Sequence, residues 1–205
     1  MLTEIIFVIV FSYVCGSIPF GLILTKFFGN KDIRKIGSGN IGATNVLRSG
    51  NKYLALLTLL LDVGKGYMAV LTTQLYFQDH VQISALIVFL GHIFPIWLKF
   101  KGGKGVATYL GVLFALSLSL SLLFIFTWIT VSLIFRYSSL SSMFSTLTVC
   151  IVNLVKYNAV SVINKNLVDE TNLTFILFVF LILIIFTHRR NIINLKNKSE
   201  KKIKI

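Results

Sequence analysis

Long uncharged stretches alternate with short polar ones along this chain. Residues 5–25, 81–98, 106–135, 137–155 and 171–187 carry no charged side chain, and residues 53–77 are interrupted only by Asp62 and Lys65. Most of these stretches approach the ~20 apolar residues that a helix needs to cross a hydrocarbon core of about 30 Å. Residues 106–135 exceed that need, because a helix rising about 1.5 Å per residue would reach about 45 Å over them. Two short helices are therefore expected between Val106 and Phe135, turning where Ser and Leu alternate at residues 117–121.

The cations sort themselves between the stretches. Of 20 Lys and Arg, six lie from Lys26 to Lys52, three from Lys99 to Lys104, one at Arg136 and seven from Arg189 to Lys204. Short loops rich in Lys and Arg stay in the cytoplasm. If the loops at Lys99 and Arg136 share that side, the segment between them crosses an even number of times. The expected fold is thus an all-α integral membrane protein of about seven transmembrane helices, N-terminus outside and C-terminus cytoplasmic. That arrangement puts 17 of the 20 cations on one face, with Lys156 and Lys165 in an opposite connection and Lys65 inside a span.

Composition agrees and narrows the field. Hydrophobic residues make up 56% of the chain and charged ones 13%, against about 25% charged in an ordinary soluble domain. A water-soluble fold is excluded, since so few charges leave large apolar patches in water. The net charge of +13 would suggest nucleic acid in a soluble protein, but topology accounts for it, and no stripe of basic and aromatic residues competes. Cys15 and Cys150 lie in apolar stretches with no partner pattern, so neither a disulfide framework nor a clustered metal site is expected. The first stretch lacks a basic start and a small-residue cleavage site, and it is read as a span and not a signal peptide. The whole chain, residues 1–205, is expected to form one membrane domain, with a Lys-rich end after Leu195 that is solvated and near lipid headgroups.

Polar residues gather in islands that this topology places on one side. The first, from Gly37 to Arg48, reads GSGNIGATNVLR and follows Lys31, Arg34 and Lys35. Three glycines in six residues let backbone amides turn toward a ligand, while Ser38, Asn40, Thr44 and Asn45 offer neutral donors around Gly42. This is phosphate-cradling chemistry; the alternative is a glycine-rich turn leading into the second helix. A nucleotide P-loop is ruled out, because Ala43 and Thr44 stand where its Lys and hydroxyl residue belong. The second island, FKGGKG, holds Lys101, Gly102, Gly103, Lys104 and Gly105 and runs directly into the helix at Val106. A helix N-terminus beside two lysines attracts an anion. Upstream, Pro95 should kink the helix that carries His92. The third island is His188-Arg189-Arg190-Asn191. A weaker cluster, RYSSLSS from Arg136, has hydroxyls read as caps of the next helix, and Asp62 and Lys65, one turn apart, are read as a buried ion pair.

Taken in order, SGNIGATNVLR, GHIFP followed by FKGGKGVAT, and HRRNI resemble the bacterial acyl-phosphate:glycerol-3-phosphate acyltransferase family over nearly the whole chain. The resemblance implies a seven-helix membrane enzyme moving a fatty acyl group from acyl phosphate to glycerol 3-phosphate, without acyl-CoA or acyl carrier protein as donor. Carried over by motif, it makes Ser38 and Arg48 necessary for activity, gives Gly102, Gly103 and Gly105 the shaping of the glycerol 3-phosphate site, and matches His188 and Asn191 to the active-site pair, with Glu200 as an acidic residue further along. Three positions depart from the family's habit: Ile41 for Pro, Asn194 for Arg and Lys198 for Gly.

Both substrates named by the resemblance are anions, which fits a face rich in cations and amides. An acyl phosphate is already activated, so positioning and charge neutralisation carry the catalysis. Arg48 suits a bidentate phosphate contact, Lys101 and Lys104 act as point charges, and either His188 or a substrate phosphate oxygen takes the hydroxyl proton. No cofactor, metal, nucleic acid or obligate protein partner is called for; the partners are the two substrates and membrane lipid. The competing class is a small transporter for an anionic solute, to which intramembrane Asp62 and Lys65 would be suited.

Overall fold

The computed structural model describes residues 1–29, 31–163 and 168–203; Lys165 and Lys204, counted among the cations above, lie outside them. The chain forms α1 (Leu2–Ser17), α2 (Phe20–Phe27), α3 (Ala43–Arg48), α4 (Lys52–Tyr76), α5 (Val81–Ile93), α6 (Val106–Leu116), α7 (Leu118–Phe135), α8 (Ser138–Ile163), α9 (Val168–Thr187) and α10 (Arg189–Lys196). Its helices group into two compact units, Met1–Leu116 and Ser117–Ile205.

Among the described residues, five stretches are helical, long and apolar enough to cross a membrane: Leu2–Phe27, Lys52–Tyr76, Gln78–Leu98, Leu118–Phe135 and Ser138–Asn158. A sixth arises if α9 and α10, bent by 57° at His188, count as one span. The expected break within residues 106–135 is present at Ser117, whose extended backbone ends α6 and whose hydroxyl accepts from Leu120 N. The two resulting helices are unequal. At 11 residues α6 rises only about 16 Å, short of a bilayer core, whereas α7 has 18 residues. Phe7, Val10, Phe126 and Ile134 stand more than half exposed, as side chains facing lipid do.

In the first unit, close helix contact rests on missing side chains. A Cβ on Gly16 would collide with the Val88 carbonyl and one on Gly91 with that of Tyr13, so α1 and α5 touch backbone to backbone; Gly66 and Gly111 do the same between α4 and α6. Without a hydrophobic force between helices in lipid, such approach and interhelical hydrogen bonds provide the cohesion. Ser12 and Ser84 share a 2.8 Å bond, and Ser84 Oγ also donates to Ala69 O.

The first uncharged run contains a break that its composition hides. Pro19 has no amide hydrogen and interrupts the ladder between α1 and α2. The carbonyls exposed there are satisfied from elsewhere: Trp97 Nε1 donates to Ser17 O at 3.1 Å, and Lys65 Nζ to Ile18 O at 2.8 Å. Pro95 likewise ends α5 instead of kinking it, starting a short turn at Ile96–Leu98.

In the second unit, Trp128 Nε1 donates to Ser142 Oγ between α7 and α8, and Asn153 Nδ2 to Thr174 Oγ1 between α8 and α9. In the Ser cluster beginning α8, expected to cap it, Ser141 and Ser142 serve otherwise. They donate back to the carbonyls of Tyr137 and Ser138, a common use of hydroxyls in helices. The C-terminal segment returns to the α7–α8 turn, where Ile203 N donates to Arg136 O at 2.7 Å.

Candidate active site

The first island is a loop built around one side chain. Asn45, buried, donates from Nδ2 to the carbonyls of Ile33, Ile36 and Asn40 at 3.0, 2.9 and 2.7 Å, and its Oδ1 accepts from Ser38 N at 2.8 Å. Both polar atoms are thus spent on the loop's own backbone. Asn45 was expected to bind substrate; its place is instead that of a clamp that shapes the loop. Gly37, at φ 59°, has no room for a side chain, since a Cβ would collide with Asn45 Oδ1. Asn40 Oδ1 accepts from Gly42 N at 3.2 Å, so that amide too is used within the loop, ahead of α3. Ile33, Ile41 and Val46 form a small buried core under it. Ile41, a departure from the family pattern, is part of that core.

The clamp leaves the Ser38 hydroxyl exposed and Thr44 and Arg48 half-buried, with Arg48 at the end of α3. Asp32 starts the loop by accepting from Arg34 N, and pairs with the Arg34 guanidinium at 2.7 Å. Hydrogen bonding to Arg34 holds the Asp32 carboxyl down at about 2, and the same pairing raises Arg34 above its ordinary value. Arg34 therefore belongs to the loop's scaffold.

The second island folds back on the end of α5. Gly102 N donates to Ile93 O at 3.2 Å and Gly103 N to His92 O at 3.1 Å. These two amides face the end of α5. What the glycines supply is closeness: a Cβ on Gly102 would strike His92 O, and one on Gly103 would strike His92 Nε2. Gly105, at φ 84°, packs against the Phe89 ring and passes its carbonyl to Tyr109 N at 2.7 Å, starting α6. The first amides of α6 have no partner within the helix. Lys101 is exposed and Lys104 half-buried beside them.

The third island lies in the second unit, at the bend between α9 and α10. His188 is 1% exposed. Its Nδ1 stands 2.8 Å from Ile184 O; a carbonyl only accepts, so the proton sits on Nδ1 and the lone pair of the neutral ring on Nε2. Asn191, one turn on, donates from Nδ2 to Glu200 Oε1 at 2.6 Å, and Glu200 Oε1 also accepts from Ser139 Oγ at 3.1 Å. Ser139, expected as a cap, instead holds the carboxylate that holds Asn191. Arg189 and Arg190 are exposed. No group of three or more His, Cys, Asp or Glu that could hold a metal occurs among the described residues.

Asp62 and Lys65 form the expected ion pair, 2.7 Å apart and both buried. Their partnership is internal to the first unit, and Lys65 also serves the broken helix.

Comparison with known proteins decides between enzyme and transporter. The family model described as glycerol-3-phosphate acyltransferase matches residues 6–198, across both units. The chain belongs to the glycerol-3-phosphate acyltransferase family. It is 51% identical over 202 residues to the glycerol-3-phosphate acyltransferase of Pelagibacter ubique, covering 98% of this chain and 99% of that protein. To the protein of the same name from the Wolbachia of Brugia malayi it is 48% identical, over 95% and 96% of the two chains. Among solved structures it is similar to PlsY (YgiH), an integral membrane glycerol 3-phosphate acyltransferase. The glycerol 3-phosphate form matches with a TM-score of 0.87 at 35% identity, covering 98% of this chain and 96% of that one. The lysophosphatidic acid form matches with a TM-score of 0.83 at 35% identity, over 97% and 94%. The protein is thus a multi-pass membrane acyltransferase, and the transporter reading is set aside.

Proposed function

We propose that this acyltransferase moves a fatty acyl group from acyl phosphate to the 1-hydroxyl of sn-glycerol 3-phosphate, giving lysophosphatidic acid and inorganic phosphate at the cytoplasmic face of a bacterial inner membrane. The observation that carries the acceptor is the match to PlsY in both a glycerol 3-phosphate and a lysophosphatidic acid form, one the substrate and the other the product of such an acylation. The donor rests on the motif resemblance. The side rests on the 17 cations gathered in loops of one parity.

The chemistry follows from the substrates. The primary hydroxyl oxygen attacks the acyl carbonyl carbon, the bond from that carbon to the phosphate oxygen breaks, and phosphate leaves with the electron pair. The mixed anhydride needs no covalent acyl-enzyme, so the protein supplies placement and charge. Ser38, Arg48, Lys101, Lys104 and the first amides of α6 take the phosphate groups, with Asn40, Gly42, Thr44, Gly102, Gly103 and Gly105 shaping their surroundings. His188 Nε2, left with its lone pair by the bond from Nδ1 to Ile184 O, takes the hydroxyl proton, and Asn191 orients the acceptor beside it. The single-domain reading is supported by a family match that runs from residue 6 to residue 198.

Purified protein given palmitoyl phosphate and labelled glycerol 3-phosphate should form labelled lysophosphatidic acid and release phosphate only when both substrates are present. Phosphate release that ignores glycerol 3-phosphate would refute the reading. His188→Gln should lower turnover by about 100-fold or more if the ring is the base. An unchanged rate would pass the proton to a phosphate oxygen of the donor.

A further inference from the structure

Behind the glycine loop of the first unit lies a set of buried polar groups that the acyl transfer does not use. Lys65 Nζ is 2.7 Å from Asp62 Oδ1 and 2.8 Å from Ile18 O. Asp62 Oδ1 is in turn 3.8 Å from His92 Nδ1. Asp62, Lys65 and His92 are all buried, and among the described residues His92 Nδ1 has no hydrogen-bond partner. Titratable groups inside a membrane domain are expensive to keep. Lys65 has an occupation at the break between α1 and α2, and Asp62 neutralises it. His92 has neither task.

What His92 touches is the loop. Its carbonyl receives the Gly103 amide at 3.1 Å, and its Nε2 occupies the space where a Gly103 side chain would begin. One residue therefore meets Gly103 twice, by backbone and by ring. The ring's other edge faces Asp62, with Nδ1 3.8 Å from Oδ1.

We propose that His92, whose ring lies between Asp62 and Gly103, is a positioning residue for the second island: its Nε2 edge sets the height of Gly103 above α5, and with it the place of Lys104 and the first amides of α6. This rests on the reading that these groups take the phosphate of glycerol 3-phosphate. Because His92 acts through the loop and not on the reacting atoms, its signature is in acceptor binding and not in turnover.

The test is steady-state kinetics on the full-length protein, with palmitoyl phosphate saturating and glycerol 3-phosphate varied. His92→Asn keeps a polar group toward Asp62 but withdraws the edge that meets Gly103. It is expected to raise KM for glycerol 3-phosphate about tenfold while kcat stays within about threefold. His92→Gln, which reaches as far as Nε2, is expected to return KM to within about threefold of the native value. Gly103→Ala raises KM in the native background, yet adds less than about threefold on top of His92→Asn, since the space it needs has been vacated. An unchanged KM for His92→Asn, or full additivity of the two substitutions, overturns the proposal. So does a His92→Asn protein that fails to fold while His92→Gln folds, which would give His92 a stability role alone. If the native protein does not respond to glycerol 3-phosphate at all, the substrate reading has failed and the inference falls with it; a responsive native protein with an unmoved His92→Asn KM sinks the inference only.

Discussion

Glu200 and Asn191 are joined by a 2.6 Å hydrogen bond across nine residues, with Ser139 of α8 as the carboxylate's second donor. A short bond to a charged acceptor leaves Asn191 one orientation. Removing the carboxylate frees that amide to rotate. Hydrogen bonds to charged groups contribute about 1.5–3 kcal/mol, so Glu200→Ala should lower kcat/KM by roughly 10- to 100-fold if that orientation is used in the transition state. Ser139→Ala, which leaves the Asn191 bond in place, should cost less. Kinetics of the two variants beside each other check the order, and equal losses would contradict it.

The turn that brings Glu200 back is closed by a residue poorly suited to it. Lys198 N donates to Leu195 O and Ser199 N to Asn194 O, which are the paired bonds of a Schellman ending to α10. Lys198 itself takes φ 55°, a conformation in which a side chain costs roughly 1–2 kcal/mol. The family's usual Gly avoids that cost. Lys198→Gly should therefore raise the thermal unfolding midpoint in detergent with activity retained. A lower midpoint would mean that the lysine stem makes a compensating contact.

Breaking the buried pair should be costly. Lys65→Met leaves the Asp62 carboxylate buried without its counter-ion and takes from the Ile18 carbonyl one of its two donors, the Phe20 amide remaining, a loss of about 3–5 kcal/mol. Asp62→Asn combined with Lys65→Met removes both charges and should recover part of it. Thermal unfolding of the single and double variants tests this, and a double variant less stable than Lys65→Met alone would count against it.

Acid should loosen the first island in a defined window. Asp32 is held at about 2 by Arg34, below the unperturbed carboxylate value of about 3.9. A lowered folded value means that its contribution is whole above about pH 4 and disappears as pH falls toward about 2. Unfolding midpoints recorded down that range should fall more steeply for the native chain than for Asp32→Asn. The pair is exposed, so added salt should shrink the difference.

Much of this was readable in the residues, for physical reasons that differ from place to place. An uncharged run of membrane length has few alternatives to a helix, and Ser117 was marked as a break because residues 106–135 are too long for one span. Asp62 and Lys65, three apart on a helix, could meet only each other at low cost. Asn45 was misread because an amide in a glycine-rich loop looks the same whether it faces a ligand or the backbone; which carbonyls surround it is decided by the fold of residues 33–40. Gly102 and Gly103 carry a similar ambiguity, since absence of a side chain serves exposed amides and tight packing alike. The roles of Pro19 and Ser139 depend on partners far along the chain, beyond the reach of any local pattern.

The split between α1 and α2 bears on how the protein is made. The Ser17 carbonyl receives a donor from 80 positions later, and the Ile18 carbonyl, which also takes the Phe20 amide, a second one from 47 positions later. The first span is made before either Lys65 or Trp97. Until the third apolar stretch brings Trp97, the Ser17 carbonyl lacks the side-chain donor it has in the folded unit. Assembly of the first unit is in this sense a matter of timing as well as of sequence.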